Sequence, residues 1–240
     1  MKLDILAVAA HPDDVELSSS GTLLSHIALG KKVGLLDLTQ GELGTRGNAT
    51  LRLQEAADAA RLMGADAREN IGIPDGFFTH SRENIIKIVE VIRRYQPEII
   101  LANALEDRHP DHARAAKLVS DACFHSGLVK IETIDSNTGE IQSPWRPKAI
   151  YHYIQDYQLV PDFVVDISPY IEQKMELVMT FKSQFYNPDS NEPDSPISSK
   201  EFLDFLVAKA RIFGRPAGFE FAEGFNVTRY IGVKNLFDLT

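Results

Sequence analysis

Apolar segments of strand length alternate with helix-like segments along the first half of this chain. Residues 3–9 and 33–38 are near-continuous apolar runs, which is typical of strands covered on both faces. Helical patterns follow at residues 21–29 and 51–63, and a glycine ends each of them. This alternation predicts right-handed βαβ units and an α/β fold, in which a Rossmann-like, mostly parallel sheet carries helices on both faces.

The alternation continues through the middle of the chain and then becomes less regular. A helix that begins at Ser81 precedes an apolar segment at residues 98–104, and a further helix is expected at about residues 113–126. The remaining elements are predicted as strands at residues 149–153 and 163–167 and as helices at residues 170–182 and 200–213. Residues 187–196, rich in Pro, Asp and Ser, predict a mobile loop that is a candidate lid, a subunit contact or plain surface. No linker divides the chain, so we expect residues 1–240 to form one domain.

Composition excludes several functional classes. Lys and Arg number 25 against 34 Asp and Glu, and the net charge of −9 repels the phosphates of a nucleic acid. The single cysteine, Cys123, rules out an intrachain disulfide and a thiolate zinc cluster and is typical of a reducing cytoplasm. No leader-like segment opens the chain, and no apolar run approaches the roughly 20 residues of a membrane span. We therefore expect a cytoplasmic protein that binds neither nucleic acid nor membrane.

Two familiar active-site patterns are also missing from the sequence. The glycines of residues 41–47 do not have the G-x-G-x-x-G spacing of dinucleotide-binding proteins, and they follow the second strand rather than the first. No G-x-S-x-G motif of a serine hydrolase occurs, and Cys123 lies among apolar residues in a predicted helix. Nucleotide binding and covalent nucleophilic catalysis are therefore disfavoured.

Polar residues cluster where the predicted strands end. The clusters are residues 11–16, residues 41–47, Asp75 and residues 107–112. In an open parallel sheet, ligands bind in the crevice beyond the carboxyl ends of the strands. We therefore expect these clusters, which are far apart in the sequence, to share one cleft.

Two of the clusters carry the spacing of a metal site. His11 and Asp14 are three residues apart at the start of a helix, so both side chains can reach one ion, and His112 supplies a third ligand. Two imidazoles and one carboxylate leave an open position on a tetrahedral zinc ion, as in catalytic sites. Each motif alone also fits a helix cap or a chance spacing, but their position at one sheet edge favours the metal.

The same motifs supply candidates for proton transfer and for charge stabilisation. Asp13 lies beside the proposed ligands of its own turn and is the carboxylate best placed to accept a proton from water and return it to a leaving amine. His109, if Asp111 holds it as an imidazolium, stabilises the oxyanion formed when hydroxide attacks a carbonyl. These residues predict amide hydrolysis.

The two motifs resemble the signature motifs of a known family. Residues 10–16 (AHPDDVE) and 109–112 (HPDH) are similar to those of the PIG-L/LmbE-like zinc-dependent N-acetylglucosamine deacetylases, and the resemblance covers most of the chain. Within that family the chain is similar to the bacillithiol-biosynthesis branch, which deacetylates N-acetylglucosaminyl-malate. The segments that support this branch are residues 41–48, 183–186, 196–200 and 222–225.

The resemblance implies a role for each motif residue. The implied zinc ligands are His11, Asp14 and His112. The implied catalytic groups are Asp13 as general base and His109 at the oxyanion, with Asp111 behind it. Sugar contacts are implied at Glu42, Arg52 and Asp75. Family members commonly assemble as homo-oligomers, and the resemblance implies the same here.

The aglycone and the metal ion leave alternatives open. A malate aglycone carries two carboxylates, which Arg46, Arg52 and Arg108 near the cleft can bind bidentately, although each arginine also fits a surface charge. Just ahead of the second motif, where mycothiol-type relatives have a tyrosine, this chain has Asp107 and Arg108. This difference disfavours a tyrosine-assisted variant of the mechanism. Another N-acetyl sugar such as a chitooligosaccharide is an alternative substrate, and a non-catalytic metal- or sugar-binding module is an alternative class. Another divalent ion can replace zinc, because His and Asp suit several.

The other histidines lie outside the two motifs and have no His or carboxylate partner at ligand spacing. We expect His26, His80 and His125 to be structural. His152 falls in a predicted strand, and its role is open.

Overall fold

A computed structural model describes residues 1–238 of the chain. Its strands are β1 (Ile5–Ala9), β2 (Val33–Asp37), β3 (Ala67–Asn70), β4 (Ile99–Ala102), β5 (Ala149–Tyr153), β6 (Phe163–Asp166) and β7 (Ala222–Asn226). Its α-helices are α1 (Asp14–Ala28), α2 (Ala49–Met63), α3 (Arg82–Tyr95), α4 (Pro110–Ser126), α5 (Ile171–Val178) and α6 (Lys200–Ala217). Within this part of the chain, no helix has the length and apolar composition needed to cross a membrane.

All these strands form one sheet in the order β3-β2-β1-β4-β5-β7-β6. The pairs from β3 through β5 are parallel, and β7 is antiparallel to both of its neighbours. The predicted α/β class with a mostly parallel sheet is therefore confirmed. Because β2 and β4 flank β1 on opposite sides, the strand order reverses at β1, and a crevice opens beyond the carboxyl ends of β1 and β4.

Helices cover both faces of the sheet, as predicted. On the fully buried strand β1, Leu6 and Val8 pack in a cluster with side chains of α3 and α4. The alternate residues Ile5 and Ala7 belong to a second cluster with side chains of α1, α2 and α5. This two-sided burial explains why the sequence of β1 is a continuous apolar run.

Helix α1 begins at Asp14 rather than at the predicted residue 21. The intervening serines are poor helix formers, which hides the start of the helix from a sequence pattern. In the structure Ser19 and Ser20 are buried, and each hydroxyl donates to a backbone carbonyl four residues earlier. The serines are therefore satisfied inside the core without leaving the helix.

Strand β7 was absent from the sequence-based prediction because a glutamate and a glycine stand in its centre. Glu223 is buried, and its carboxylate accepts hydrogen bonds from Lys174 Nζ at 2.6 Å and from the backbone N–H of Thr22 at 2.7 Å. Gly224 lies against the Phe213 ring, where a Cβ atom would come within 3.1 Å. Contacts with α1, α5 and α6 thus stabilise a strand of low intrinsic propensity.

The remaining differences concern element ends. Helix α5 ends at Val178, short of the predicted residue 182, and α6 continues past residue 213 to Ala217. The segment at residues 187–196 is held at two points, because Ser190 accepts from Arg46 Nη2 at 2.6 Å and Glu192 accepts from a backbone N–H at 2.7 Å. These bonds bring the segment next to the cavity described below.

Candidate active site

A cavity of about 320 Å³ lies beside the residues that follow β1, β2 and β4. Nine of the eleven predicted site residues line it. They are His11, Asp13, Asp14, Arg46, Arg52, Asp75, Arg108, His109 and His112. The structure therefore brings together polar groups from the separate strand-end clusters.

Three imidazoles converge in this cavity. The ring centroids of His11 and His109 are 4.6 Å apart, those of His109 and His112 are 5.1 Å apart, and those of His11 and His112 are 5.5 Å apart. One ring nitrogen from each lies within 4.8 Å of the others. His11 lies in the turn between β1 and α1, and Asp14 is the first residue of α1. His109 caps α4, and His112 lies in its first turn.

The Asp14 carboxylate lies between two of these rings. One of its oxygens is 3.7 Å from His11 Nδ1, and the other is 3.1 Å from His112 Nε2. Asn103 Nδ2 donates to the first oxygen at 2.9 Å, and Gln155 Nε2 donates to the second at 3.1 Å. Burial alone would raise the pKa of Asp14, but the two histidines hold it well below its usual range, so Asp14 is a carboxylate.

His112 is oriented by a buried partner, Asp107. His112 Nδ1 donates to Asp107 Oδ2 at 2.6 Å, while Asp107 Oδ1 accepts from two backbone N–H groups. Burial opposes the charged imidazole, but Asp14 and Asp107 outweigh it and raise the pKa of His112 to about 9. A carboxylate on Nδ1 leaves Nε2 facing the cavity, which is the arrangement that supports metal-ligating histidines.

The donor set fits a divalent metal ion. His11 Nε2 lies 3.0 Å from Asp75 Oδ1 and 3.4 Å from Asp111 Oδ2, so this ring also meets carboxylates on the side away from Asp14. Two groups of donor atoms each lie within 4.8 Å of one another, one from His11, His109 and His112 and the other from His11, Asp75 and Asp111. Nitrogen and carboxylate donors of this kind suit zinc and related ions. The fit holds for the chemistry of the donors and does not distinguish one divalent ion from another.

Asp13 lies at the entrance to α1 in a strained backbone conformation. Its φ angle is 125°, and its side chain is buried. Arg52 Nη2 donates to its carboxylate at 3.0 Å. Burial raises the pKa of Asp13 to about 7, with Arg52 opposing the shift. A carboxyl group with this pKa is suited to exchange protons near neutral pH.

The sequence predicts that the Asp111 carboxylate supports His109, and this prediction is wrong. Among the described residues, that carboxylate is bonded to other groups. That carboxylate contacts His11, accepts from the Gly76 N–H at 2.9 Å and pairs with Arg114. His109 instead caps α4, and its Nδ1 accepts from the Asp111 backbone N–H. Burial and the two neighbouring histidines lower the pKa of His109. The neutral ring therefore carries its proton on Nε2.

Several residues predicted to contact the sugar or the aglycone are bonded to other protein groups in the structure. Arg52 is occupied by Asp13 and by two backbone carbonyls, and Arg108 Nε donates to Asp156 at 2.7 Å. Glu42 is exposed, and its carboxylate accepts from the Asp75 backbone N–H at 2.8 Å, so it joins the loops after β2 and β3. Arg52 and Arg108 thus line the cavity while bonded to protein groups, and Glu42 is not part of the cavity wall.

Sequence reasoning missed Asn103 and Gln155. Asn103 follows β4 and donates both to Asp14 and to Gln155, which follows β5. Both stand just after a strand, so the strand-end rule applied to amides as well as to His and carboxylates would have found them. His152, whose role was open, bonds through Nδ1 to the Asn103 carbonyl at 2.8 Å and supports this segment.

The other three histidines make contacts away from the cavity. His26 Nδ1 bonds to a backbone carbonyl in α1, and His125 Nδ1 bonds to a backbone carbonyl in α4. His80 pairs with Asp121 at 2.7 Å on the surface. These bonds agree with the structural role predicted for them.

Known proteins are similar to this chain over most of its length. The PIG-L family model, described as GlcNAc-PI de-N-acetylase, matches residues 6–123, which contain both histidine motifs. The diacetylchitobiose deacetylase of Thermococcus kodakarensis is 30% identical over 231 residues, covering 92% of this chain and 81% of that protein. The chain belongs to the PIG-L family.

Further similar proteins include a solved structure of matching fold and a relative named for a different reaction. The conserved protein TT1542 of Thermus thermophilus has a TM-score of 0.83 and 34% identity, covering 97% of this chain and 98% of that chain. The 4-oxalmesaconate hydratase of Pseudomonas putida is 29% identical over 130 residues, which cover 49% of this chain and 50% of that protein. Proteins similar to this PIG-L chain therefore include both a deacetylase and a hydratase.

Proposed function

We propose that this chain is a metal-dependent hydrolase that removes the N-acetyl group from a glucosamine conjugate. The observation that carries the proposal is the buried Asp13 carboxyl, with a pKa of about 7, beside three converging imidazoles. Amide hydrolysis needs a group that accepts a proton from water and gives one to the departing nitrogen. The diacetylchitobiose deacetylase relative supports an acetamido sugar as substrate.

His11, Asp14 and His112 would hold the metal ion in this proposal. The contacts of Asp14 with both rings, and the hold of Asp107 on His112, support that choice. When bound, a divalent ion such as zinc supplies Lewis-acid polarisation of the acetamide carbonyl and of the attacking water. We place His109 outside the ligand set because its Nδ1 accepts from the Asp111 N–H, which leaves the ring proton on Nε2 as a donor.

Asp13 and His109 would carry the chemical steps. Asp13 accepts a proton from water as the new C–O bond forms, and it later donates that proton to nitrogen as the C–N bond breaks. The products are acetate and a free amine. His109 donates from Nε2 to the carbonyl oxygen as negative charge develops there, a contribution of about 3 kcal/mol by analogy with single oxyanion donors. A neutral donor serves this role, so the imidazolium expected from the sequence is not required.

For the conjugate we propose N-acetylglucosaminyl-malate, as in bacillithiol biosynthesis. The cationic side chains of the cavity wall, Arg46, Arg108 and Lys209, support an anionic aglycone. A chitooligosaccharide is the second candidate, and the Thermococcus kodakarensis relative favours it. A cavity of about 320 Å³ is large enough to take a small ligand in either case.

Metal analysis joined to an amine-release assay tests the proposal. We expect stoichiometric divalent metal and release of free amine, with a higher kcat/KM for the malate glycoside than for diacetylchitobiose. A higher kcat/KM for diacetylchitobiose would transfer the assignment to neutral sugars. Absence of amine release from both substrates by metal-loaded protein would refute deacetylation.

We also propose that the chain works in the cytoplasm as a homo-oligomer. The single cysteine supports a reducing compartment. Large exposed apolar side chains near the C-terminal end, such as Tyr230 and Phe237, support burial against another copy. Light scattering at micromolar concentration measures the mass, and a monomer would contradict the oligomer.

A further inference from the structure

Lys209 on α6 lines the same cavity as Asp13 and His112. It lies outside residues 6–123, the part of the chain that the family model matches. Its Nζ donates to the backbone carbonyl of Ile154 at 3.2 Å. An ammonium group has three donors, so this bond leaves capacity for a ligand.

The arginines of the cavity differ from Lys209 because each is already bonded to a side chain. Those bonds join Arg52 to Asp13 at 3.0 Å, Arg108 to Asp156 at 2.7 Å and Arg46 to Ser190 at 2.6 Å. Among residues 1–238, no carboxylate forms an ion pair with Lys209 within 4.0 Å. Among the described lysines and arginines that line the cavity, Lys209 is therefore the one without a carboxylate within ion-pair distance. Arg46, whose buried Nε also has no partner, has Glu192 at 3.9 Å.

The carboxylates that attract the Lys209 ammonium group each form an ion pair with another side chain. Their pairs are Asp107 with His112 at 2.6 Å, Asp156 with Arg108 at 2.7 Å and Glu223 with Lys174 at 2.6 Å. Burial of Lys209, with repulsion from Lys174, outweighs their attraction and lowers the pKa of Lys209 to about 8. An anion entering the cavity would relieve this unfavourable burial of charge.

Residues 154 and 155 connect Lys209 to the proposed metal site. The segment at residues 154–156 follows β5. Ile154 accepts from Lys209, and the next residue, Gln155, donates to Asp14. Consecutive Cα atoms are about 3.8 Å apart. A ligand whose acetamide meets the imidazole cluster can therefore extend its aglycone towards Lys209.

We propose that Lys209 determines specificity for an anionic aglycone by binding a carboxylate of the substituent attached to the amino sugar. This inference rests on the proposed function, since it takes the cavity to be the deacetylation site. It deepens that function by assigning the aglycone charge to a lysine of α6, which the sequence motifs do not contain.

The test compares wild type with Lys209→Met and Lys209→Arg. Lys200→Met is the matched control, because Lys200 is exposed at the start of the same helix. The substrates are N-acetylglucosaminyl-malate and the methyl glycoside of N-acetylglucosamine, which lacks the carboxylates. Calorimetric titration with the deacetylated compounds, glucosaminyl-malate and methyl glucosaminide, measures binding independently of turnover.

We expect Lys209→Met to lower the preference for the malate glycoside, measured as the ratio of kcat/KM values, by roughly 10- to 100-fold, mainly through KM. Lys209→Arg should retain the preference, and Lys200→Met should behave as wild type. An unchanged ratio of both kcat/KM and Kd in Lys209→Met would overturn the inference alone. Absence of turnover in wild type would overturn the proposed function, and the Kd ratio would then decide the role of Lys209.

Discussion

Arg52 Nη2 donates to the Asp13 carboxylate at 3.0 Å and to the Pro12 carbonyl at 2.7 Å. One guanidinium thus holds the proposed base and the backbone just before it. The φ angle of 125° at Asp13 lies where only glycine is usually found, at a cost of about 1–3 kcal/mol. Arg52 offsets part of that cost, so we interpret it first as a positioning residue for Asp13.

Replacement of the proposed base should separate chemistry from metal binding. Asp13→Asn removes the proton acceptor but keeps the shape, so kcat should fall by about 10²- to 10⁴-fold while the metal content stays stoichiometric. Elemental analysis and amine release measure the two quantities. The control is Asp58→Asn on the exposed face of α2, which should leave both unchanged. Near-normal turnover in Asp13→Asn would remove the residue from this role.

Gly41 tests whether Arg52 positions Asp13. A Cβ at Gly41 would lie 1.9 Å from Arg52 Nη1, and its φ angle is +64°. Gly72 has a similar φ angle of +60° but open space around it. Both substitutions to Ala should cost roughly 1–2 kcal/mol of stability because of the left-handed backbone, and Gly41→Ala should cost more because Arg52 must also move. Only Gly41→Ala should also lower kcat, by about 10²-fold. Equal kcat values in the two variants would contradict the positioning role.

Asp107→Asn tests the support of His112. The variant weakens the acceptor for His112 Nδ1–H, so metal affinity should fall by about 10- to 100-fold. Competition with a chromogenic chelator measures the dissociation constant. Asp204→Asn, an exposed carboxylate on α6, provides the control. The assignment of His112 as a ligand held by Asp107 fails if both variants bind metal equally well.

Arg68 should contribute strongly to stability. It pairs with Glu16 at 2.6 Å and Asp37 at 2.8 Å, and all three side chains are buried. Arg68→Met leaves two buried carboxylates without their cation. The free energy of unfolding, measured with urea, should therefore fall by about 3–5 kcal/mol. The exposed pair between Arg61 and Asp58 is screened by water, so Arg61→Met should leave the midpoint nearly unchanged. Similar midpoints for both variants would contradict this prediction.

Binding of the malate glycoside should depend on pH through the charge of Lys209. Burial, with repulsion from Lys174, lowers the pKa of Lys209 to about 8 against the attraction of Asp107, Asp156 and Glu223. The ammonium form predominates below that pH and is lost above it. KM for the malate glycoside should therefore rise above pH 8, by up to about tenfold per pH unit. Lys209→Arg should remove the rise, because arginine stays charged. A KM that is flat to pH 9.5 in wild type would contradict the assignment.

The mostly parallel sheet and the motif residues could be predicted from the sequence, whereas β7 and the start of α1 could not. Apolar runs and helical spacing depend on neighbours in the chain, so they are visible without a fold. Glu223 in β7 and Ser19 in α1 look unfavourable until their distant or buried partners are known. Tertiary contacts overrode local propensity at both positions.

The sequence by itself determined the α/β class and the histidine and aspartate composition of the site. Apolar runs, and polar residues that directly follow them, are local patterns that can be recognised without a fold. Only the tertiary structure decided which carboxylate meets which ring. Asp111 lies against His11 rather than supporting His109, and Asp107 holds His112. It also brought Lys209 from α6 to the cavity wall. Side-chain direction and the packing of distant helices determine these pairings, and neither can be read from spacing along the chain.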